Sequence, residues 1–247
     1  MSLDKKTRAL AETLRTFVIK PGDSLRRVLV VGCGDGEEGA DLAELFGCDV
    51  DAIDATDYFC FPHPRVTFTQ MDARALSFED ETFDIVWSFH ALEHIPEPEQ
   101  VVLEIRRVLR NDGIFMIGVP NRSRLVGYMT GRGASFRDKL AWNIIDWRMR
   151  LTGRFRNEHG AHAGFTIDEL DKLLKRIGYA SCSTRQYYCH LYPSHRRAID
   201  LLNRTGLWQW VFPCHYFFGR KMRDSPYEME QGNSEPSDIR RIGADQV

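Results

Sequence analysis

Apolar residues along the chain alternate between two kinds of spacing. Residues 27–31, 49–54, 65–71, 83–89 and 114–119 are short continuous or alternating apolar runs, and they predict strands, most of them buried. Between them the apolar positions fall three and four apart, which predicts helices. Leu10, Leu14 and Phe17 precede the first strand, and Leu42, Leu45 and Phe46 follow it. Val101, Val102, Ile105, Val108 and Leu109 form a stripe after the fourth. That last helix opens at Pro96-Glu-Pro-Glu, with acids at its positive end, and closes at Asn111-Asp112-Gly113. Strand and helix signals in alternation predict an α/β chain with a parallel sheet and crossover helices.

Beyond residue 120 the pattern loosens. Residues 121–163 are irregular, and Thr166 with Glu169 then forms a capping box. The helix it opens turns Leu170, Leu173, Leu174 and Ile177 inward and stops at Gly178. Residues 179–188 read as a sixth strand, 194–212 as an aromatic helical stretch and 215–222 as a last strand. From Arg223 onward polar residues predict a disordered tail. The length of 247 residues suits one domain over residues 1–222, with helical insertions at about 121–163 and 194–212 and a tail at 223–247.

Hydrophobic residues make up 43% and charged residues 28%, enough for a buried core. A net charge of −2 gives no reason to expect nucleic acid as a partner. No run approaches the ~20 apolar residues that span a bilayer. The start, Met1-Ser-Leu-Asp-Lys-Lys, lacks the apolar core of a signal peptide. None of the six cysteines forms a Cys-x-x-Cys pair, so free thiols in a reducing cytoplasm are expected. Cys182, Cys189, His190, Cys214 and His215 are too irregularly spaced to predict a metal site.

The first strand runs into Gly32-Cys33-Gly34-Asp35-Gly36 and then a helix. Glycines let a ligand approach the backbone, and a helix N-terminus offers free N–H groups to an anion. Gly32, Gly34 and Gly36 fit a Gly-x-Gly-x-Gly turn; Gly34, Gly36 and Gly39 fit the dinucleotide pattern equally well. Later features separate the two. Asp54 closes the second strand, where an acid can accept from ribose hydroxyls, a feature both patterns share. Asp72 closes the third in Met71-Asp72-Ala73, and the fourth ends in Ser88-Phe89-His90-Ala91-Leu92-Glu93-His94-Ile95. Gly-Cys-Gly-x-Gly, Ile-Asp, Met-Asp-Ala, Phe-Asp-Ile-Val and Leu-Glu-His-Ile, in that order over about residues 27–120, resemble the class I S-adenosylmethionine-dependent methyltransferases, especially their small-molecule branch.

The resemblance implies a Rossmann-like three-layer sandwich whose seven-stranded, mostly parallel sheet has an antiparallel last strand. It implies S-adenosyl-L-methionine as cofactor. Gly32, Cys33, Gly34, Asp35 and Gly36 would cradle the methionine portion, Asp54 and Ala55 would meet ribose, and Asp72 with Ala73 would frame adenine. Phe89, His90 and His94 would lie near the methionine and the methyl group. Glu37 and Glu38 in the first turn of the following helix disfavour a pyrophosphate cofactor, and no Tyr-x-x-x-Lys pair marks a reductase. The Asn/Asp-Pro-Pro-aromatic motif of amino-methylating DNA enzymes is absent after the fourth strand.

Methyl transfer needs alignment and, for a hydroxyl acceptor, a base. Histidine suits that role near neutral pH, and His90, His159 and His162 are the candidates. Residues 122–156 hold nine Lys or Arg against Asp138 and Asp146. This local excess predicts an anionic acceptor, with Asn121, Arg150, Arg154 and Arg156 as its contacts. The acceptor expected is small or medium-sized, methylated at oxygen or nitrogen, and a glycan or glycolipid intermediate suits the insert; a quinone-like lipid precursor and a non-catalytic binding domain are the alternatives. Trp142, Trp147, Trp208 and Trp210 share these insertions, either as core or as a peripheral membrane contact.

Overall fold

The computed structural model describes residues 4–23, 25–127, 135–157 and 162–222. Its strands are β1 (Arg27–Val31), β2 (Asp49–Asp54), β3 (Val66–Gln70), β4 (Phe83–Phe89), β5 (Leu109–Pro120), β6 (Gly178–Cys182) and β7 (Cys214–Lys221). They form one sheet in the order β3-β2-β1-β4-β5-β7-β6. The first five pair parallel, whereas β7 lies antiparallel to both β5 and β6. The helices are α1 (Lys5–Phe17), α2 (Glu37–Phe46), α3 (Pro98–Val108), α4 (Phe136–Leu151), α5 (Ile167–Leu174), α6 (Thr184–Leu191), α7 (Arg196–Arg204) and α8 (Trp208–Val211).

The pleat of β1 shows why the sheet is covered on both faces. Val28 and Val30 enter a core shared with α1, α2, α6 and α7, while Leu29 and Val31 enter one shared with α3 and α5. All five residues of the predicted stripe from Val101 to Leu109 are fully buried, so that face is continuous. Because β1 lies between β2 and β4, the strand order reverses beside it, and such a point opens a crevice at the carboxyl ends of the strands.

Two sequence expectations change. The sixth strand stops at Cys182, and residues 184–191 form a helix instead. Their aromatics favour a strand locally, yet Tyr187, Tyr188 and Leu191 are buried at helical spacing against α1. The helix expected to close at residues 111–113 ends at Val108, and Leu109 already pairs with Phe83. The polar tail from Arg223 lies outside the described residues.

Candidate active site

A cavity of about 760 Å³ opens at the carboxyl ends of β1 to β4. β1 contributes Gly32 and Gly34; β2 ends in Asp54, Ala55 and Thr56; β3 continues into Asp72, Ala73 and Arg74; β4 delivers His90 and His94. Gly32 has φ +74, and a Cβ there would collide with Ala91, so only glycine lets the β1 turn and the β4 turn close on each other. Gly32 and Cys33 donate their N–H groups to the Ile53 carbonyl, which ties the loop to β2.

Asp54 fixes the floor. One carboxylate oxygen accepts from the Gly34 N–H at 2.9 Å, and the other from the N–H and hydroxyl of Thr56 at 2.9 and 2.7 Å. Partial burial works against its charge, but these donors prevail and hold the carboxyl below its ordinary range. Asp72 is exposed and ionised, lowered by its pairing with Arg74 at 2.7 Å.

A second recess of about 290 Å³ adjoins the first across Gly32 and Gly34 and is lined by Cys33, Asp35, Glu38 and Phe89. α1 closes it with Asp4, Lys6 and Thr7, a contribution the sequence did not reveal. From the sequence, Glu38 is only a first-turn acid of α2 that disfavours a pyrophosphate. Its Oε1 is enclosed without a hydrogen bond of ordinary geometry, and burial pushes the carboxyl up to about 8 although the neighbouring Trp87 indole opposes the rise. An orphaned acceptor beside a glycine cradle suits a ligand ammonium group. Burial pushes the Cys33 thiol up to about 12, so it remains an inert filler.

His90 is the strained centre of the site, with φ +56 in the left-handed region that non-glycine residues avoid. Its Nδ1 lies 3.3 Å from Oε1 of buried Glu93, and its Nε2 lies 3.4 Å from Sγ of Cys214 at the start of β7. Burial opposes a charge on His90, yet Cys214 and Glu93 outweigh it and raise the imidazole to about 10. Burial likewise opposes ionisation of Cys214, but His90 prevails and the thiol is lowered. The pair therefore favours a charged imidazole beside a thiol more acidic than an ordinary cysteine. From the sequence, Cys214 entered only an irregularly spaced set that predicts no metal site, and Glu93 stood only inside the Leu92-Glu93-His94 turn.

His162 meets His94 edge to face at 4.7 Å between ring centroids. Burial, and then His94, lower its pKa, so its imidazole is neutral near pH 7. Glu93, His94 and His162 bring one ligand atom each within 4.8 Å of one another, the one such trio of potential metal-binding side chains among the described residues. Of the irregular cysteine and histidine set, the side chain of Cys182 lies outside the described residues, and Cys189, His190, Cys214 and His215 form no such trio among the described ones.

The remaining candidates divide. Gly36 lines neither cavity; it caps α2, and a Cβ there would strike Phe59. Asn121 is fully buried, and its amide donates to the carbonyls of Gln209 and Phe212 at 2.7 and 2.8 Å. It fastens the α8 segment to the end of β5, so its polar atoms are occupied and it is not a free acceptor contact. Arg150 donates to the Arg124 carbonyl and lies over the Phe155 ring at 3.8 Å. Arg154 and Arg156 are exposed. His159 lies outside the described residues.

Arg124 was not foreseen, and it holds the first insertion in place. It is buried and pairs with Asp146 of α4 at 3.0 Å. It also donates to the carbonyls of Asn121, Ala163 and His162. Gly164 completes the clamp: Phe165 donates to the Pro120 carbonyl, and a Cβ at Gly164 would land on that same oxygen. Through these contacts α4 and His162 are anchored beyond the carboxyl end of β5, on the cavity's side of the sheet.

The parallel sheet, the glycine loop, the two strand-end aspartates and the crevice at the switch point define a Rossmann-like fold with a nucleoside-sized cavity. The profile of a family described as a methyltransferase domain matches residues 29–117. A probable S-adenosylmethionine-dependent methyltransferase of Mycobacterium tuberculosis is 35% identical over 108 residues, covering 42% of this chain and 39% of that protein. The 2-methyl-6-phytyl-1,4-hydroquinone methyltransferase of Synechocystis is 37% identical over 117 residues, covering 44% and 36%. Among solved structures, the plantazolicin methyltransferase in complex with SAH shares the fold, with a TM-score of 0.55, 17% identity and coverage of 90% of this chain and 83% of that one. Residues 29–117 thus match a methyltransferase domain, and the chain shares its fold with a methyltransferase of known structure. It matches less than half the length of the two sequence relatives.

Proposed function

We propose that this domain transfers a methyl group from S-adenosyl-L-methionine to an oxygen or nitrogen of a small or medium-sized acceptor. One observation carries the reading: a single cavity gathers Gly32, Gly34, Asp54, Asp72, His90 and His94, residues that the family resemblance implies for the cofactor. Asp54 would accept from the ribose hydroxyls with the oxygens it also offers to Gly34 and Thr56, and Asp72 and Ala73 would bound the adenine. Glu38 would answer the methionine ammonium. The bound cofactor supplies a methyl group already activated on sulfur.

The protein's own task is to place and deprotonate the acceptor. Between the described histidines, His162 is the better base because it is neutral; His90, charged between Glu93 and Cys214, is the better positioning group. Residues 121–163 and 194–212 would form the cap over the acceptor, with Arg154 and Arg156 meeting an anionic group such as that of a glycan or glycolipid intermediate; Arg150, held by the Arg124 carbonyl and the Phe155 ring, would shape the cap instead. A second acceptor class, a quinone-like lipid precursor, is favoured by the hydroquinone named for the Synechocystis relative.

Calorimetry with S-adenosylhomocysteine and with NAD tests the cofactor, and NAD binding alone would refute it. Radiolabelled methyl transfer to a panel of sugar phosphates, glycolipids and hydroquinones tests the acceptor. Cofactor binding with no transfer to any class would favour a regulatory binding domain.

A further inference from the structure

α4 is built inside out. Its inward residues, Lys139, Asn143, Asp146 and Arg150, are polar and follow helical spacing. Asn143 bonds the Gly127 backbone, Asp146 pairs with Arg124, and Arg150 bonds the Arg124 carbonyl. The apolar residues Phe136, Leu140, Ile144, Trp147 and Leu151 recur at steps of four, four, three and four, so they make one stripe. That stripe faces outward, each side chain between 44 and 85% exposed. A surface helix of a folded domain normally does the reverse.

The stripe continues beyond α4. The Trp147 indole donates to the Leu125 carbonyl at 3.1 Å, and the Leu125 N–H donates to the Trp210 carbonyl at 2.8 Å. Those two bonds join α4 to α8, where Leu207, Trp210 and Val211 are also about half exposed. A groove of about 430 Å³ between α4 and Val126 is lined by Phe136, Leu140, Ile144 and Trp147. Of the two readings open for these tryptophans, core is set aside for the exposed Trp142, Trp147 and Trp210, whereas Trp208 packs edge-on to His215.

The charge beside the stripe selects its occupant. Arg137 and Arg148 are exposed and each follows a stripe residue by one position; being eleven apart, they line the same edge. Residues 135–157 hold six Lys or Arg against two acids, and one of these, Asp146, is already spent on Arg124. Aromatic and aliphatic side chains on one face with arginines along its edge are what an interfacial helix presents to anionic lipid.

We propose that the outward face of α4, continued by Leu125, Val126 and α8, docks this domain on an anionic lipid bilayer. The arginines meet the headgroups, and the Phe136 to Leu151 stripe enters the acyl boundary. No helix among the described residues is long and apolar enough to cross a membrane, so the contact is peripheral. Docking is independent of the acceptor's identity and holds even if the methyl-transfer reading fails.

The test uses the whole chain and two kinds of vesicle, phosphatidylcholine alone and phosphatidylcholine mixed equally with phosphatidylglycerol. Co-sedimentation with the anionic vesicles, weakening as salt rises, is expected, together with a blue shift of tryptophan emission. Replacing Leu140 and Ile144 by Glu should abolish both, with S-adenosylhomocysteine affinity and circular dichroism unchanged. Arg137→Gln and Arg148→Gln should each lower affinity for the anionic vesicles about fivefold. Should the double Glu variant fail to fold, quenching of the native tryptophans by brominated lipid supplies the same readout. No vesicle binding by the native chain, or binding unaltered in the folded double variant, would overturn the proposal. So would a dimer in sedimentation velocity that the double variant dissociates, since the face would then belong to a second copy.

Discussion

The sheet and the proposed cap of this protein are made on opposite plans. In the sheet, apolar side chains enter the two cores and polar groups collect where the strands end: Asp54, Asp72, Glu93, His90. In the cap, the polar groups are inside, around the buried Arg124–Asp146 pair, and the apolar ones are outside on α4 and α8. A sheet built in the ordinary way needs only its own residues to be stable. An inverted cap is held by directional bonds and leaves its apolar surface for something else. The two regions should therefore fail differently.

The largest effect belongs to the cap. Arg124→Ala leaves Asp146 buried without its cation, a loss of about 3–5 kcal/mol for a buried pair. It should appear as lost hydrogen-exchange protection in residues 121–127 and 139–150, while the sheet amides stay protected. Replacing both partners by apolar residues should recover most of the loss; an equal loss of protection across the sheet would show that cap and sheet are one cooperative unit.

His162→Ala should reduce turnover by about 10²–10⁴-fold if it is the base, with cofactor affinity unchanged. A drop confined to KM would make it an acceptor contact instead. On the sheet side, Asp54→Ala should weaken S-adenosylhomocysteine by about 2 kcal/mol, roughly thirtyfold, because it removes hydrogen bonds to a charged group. Calorimetry reads this directly, and an unchanged dissociation constant would remove Asp54 from the site.

The smallest effect is electrostatic. His90 is raised from its ordinary 6.5 to about 10, so what its imidazolium adds to stability is whole below pH 6.5 and is lost as pH climbs towards 10. Proton NMR of its ring should show no transition between pH 6 and 8. Cys214→Ser should bring the transition down towards the usual histidine range. A native His90 that titrates near 6.5 would dissolve the Cys214 pair.

The sheet was legible because its signals are local and repeated. Glycines after an apolar run, and acids or a Glu-His pair closing three others, mark strand ends whatever the rest of the chain does. Even there, the partners that only the fold supplies were missed. Cys214 lies 124 positions from His90, and no spacing rule spans that interval. Glu38 reads from the sequence only as an acid that disfavours a pyrophosphate, and its enclosed Oε1 is visible only in the fold. The cap was less legible for a different reason. Its basic excess read as an acceptor site, but charge counts do not say which arginines turn inward, and Arg124 and Arg150 are spent on structure. The α4 stripe has ordinary helical spacing, and spacing gives the face without saying whether protein or solvent lies beyond it.

The position of β7 has a consequence for synthesis of the chain. β6 touches the sheet only through β7, which slots between β5 and β6 after both have left the ribosome. The glycine loop, Asp54 and Asp72 can assemble from the first 120 residues. β6 has no strand to join until residues 214–221 arrive, and the same arrival brings Cys214 to His90. A nascent chain paused before that point would carry a cofactor crevice with an unmatched histidine and an open β5 edge, the kind of unpaired strand that invites aggregation.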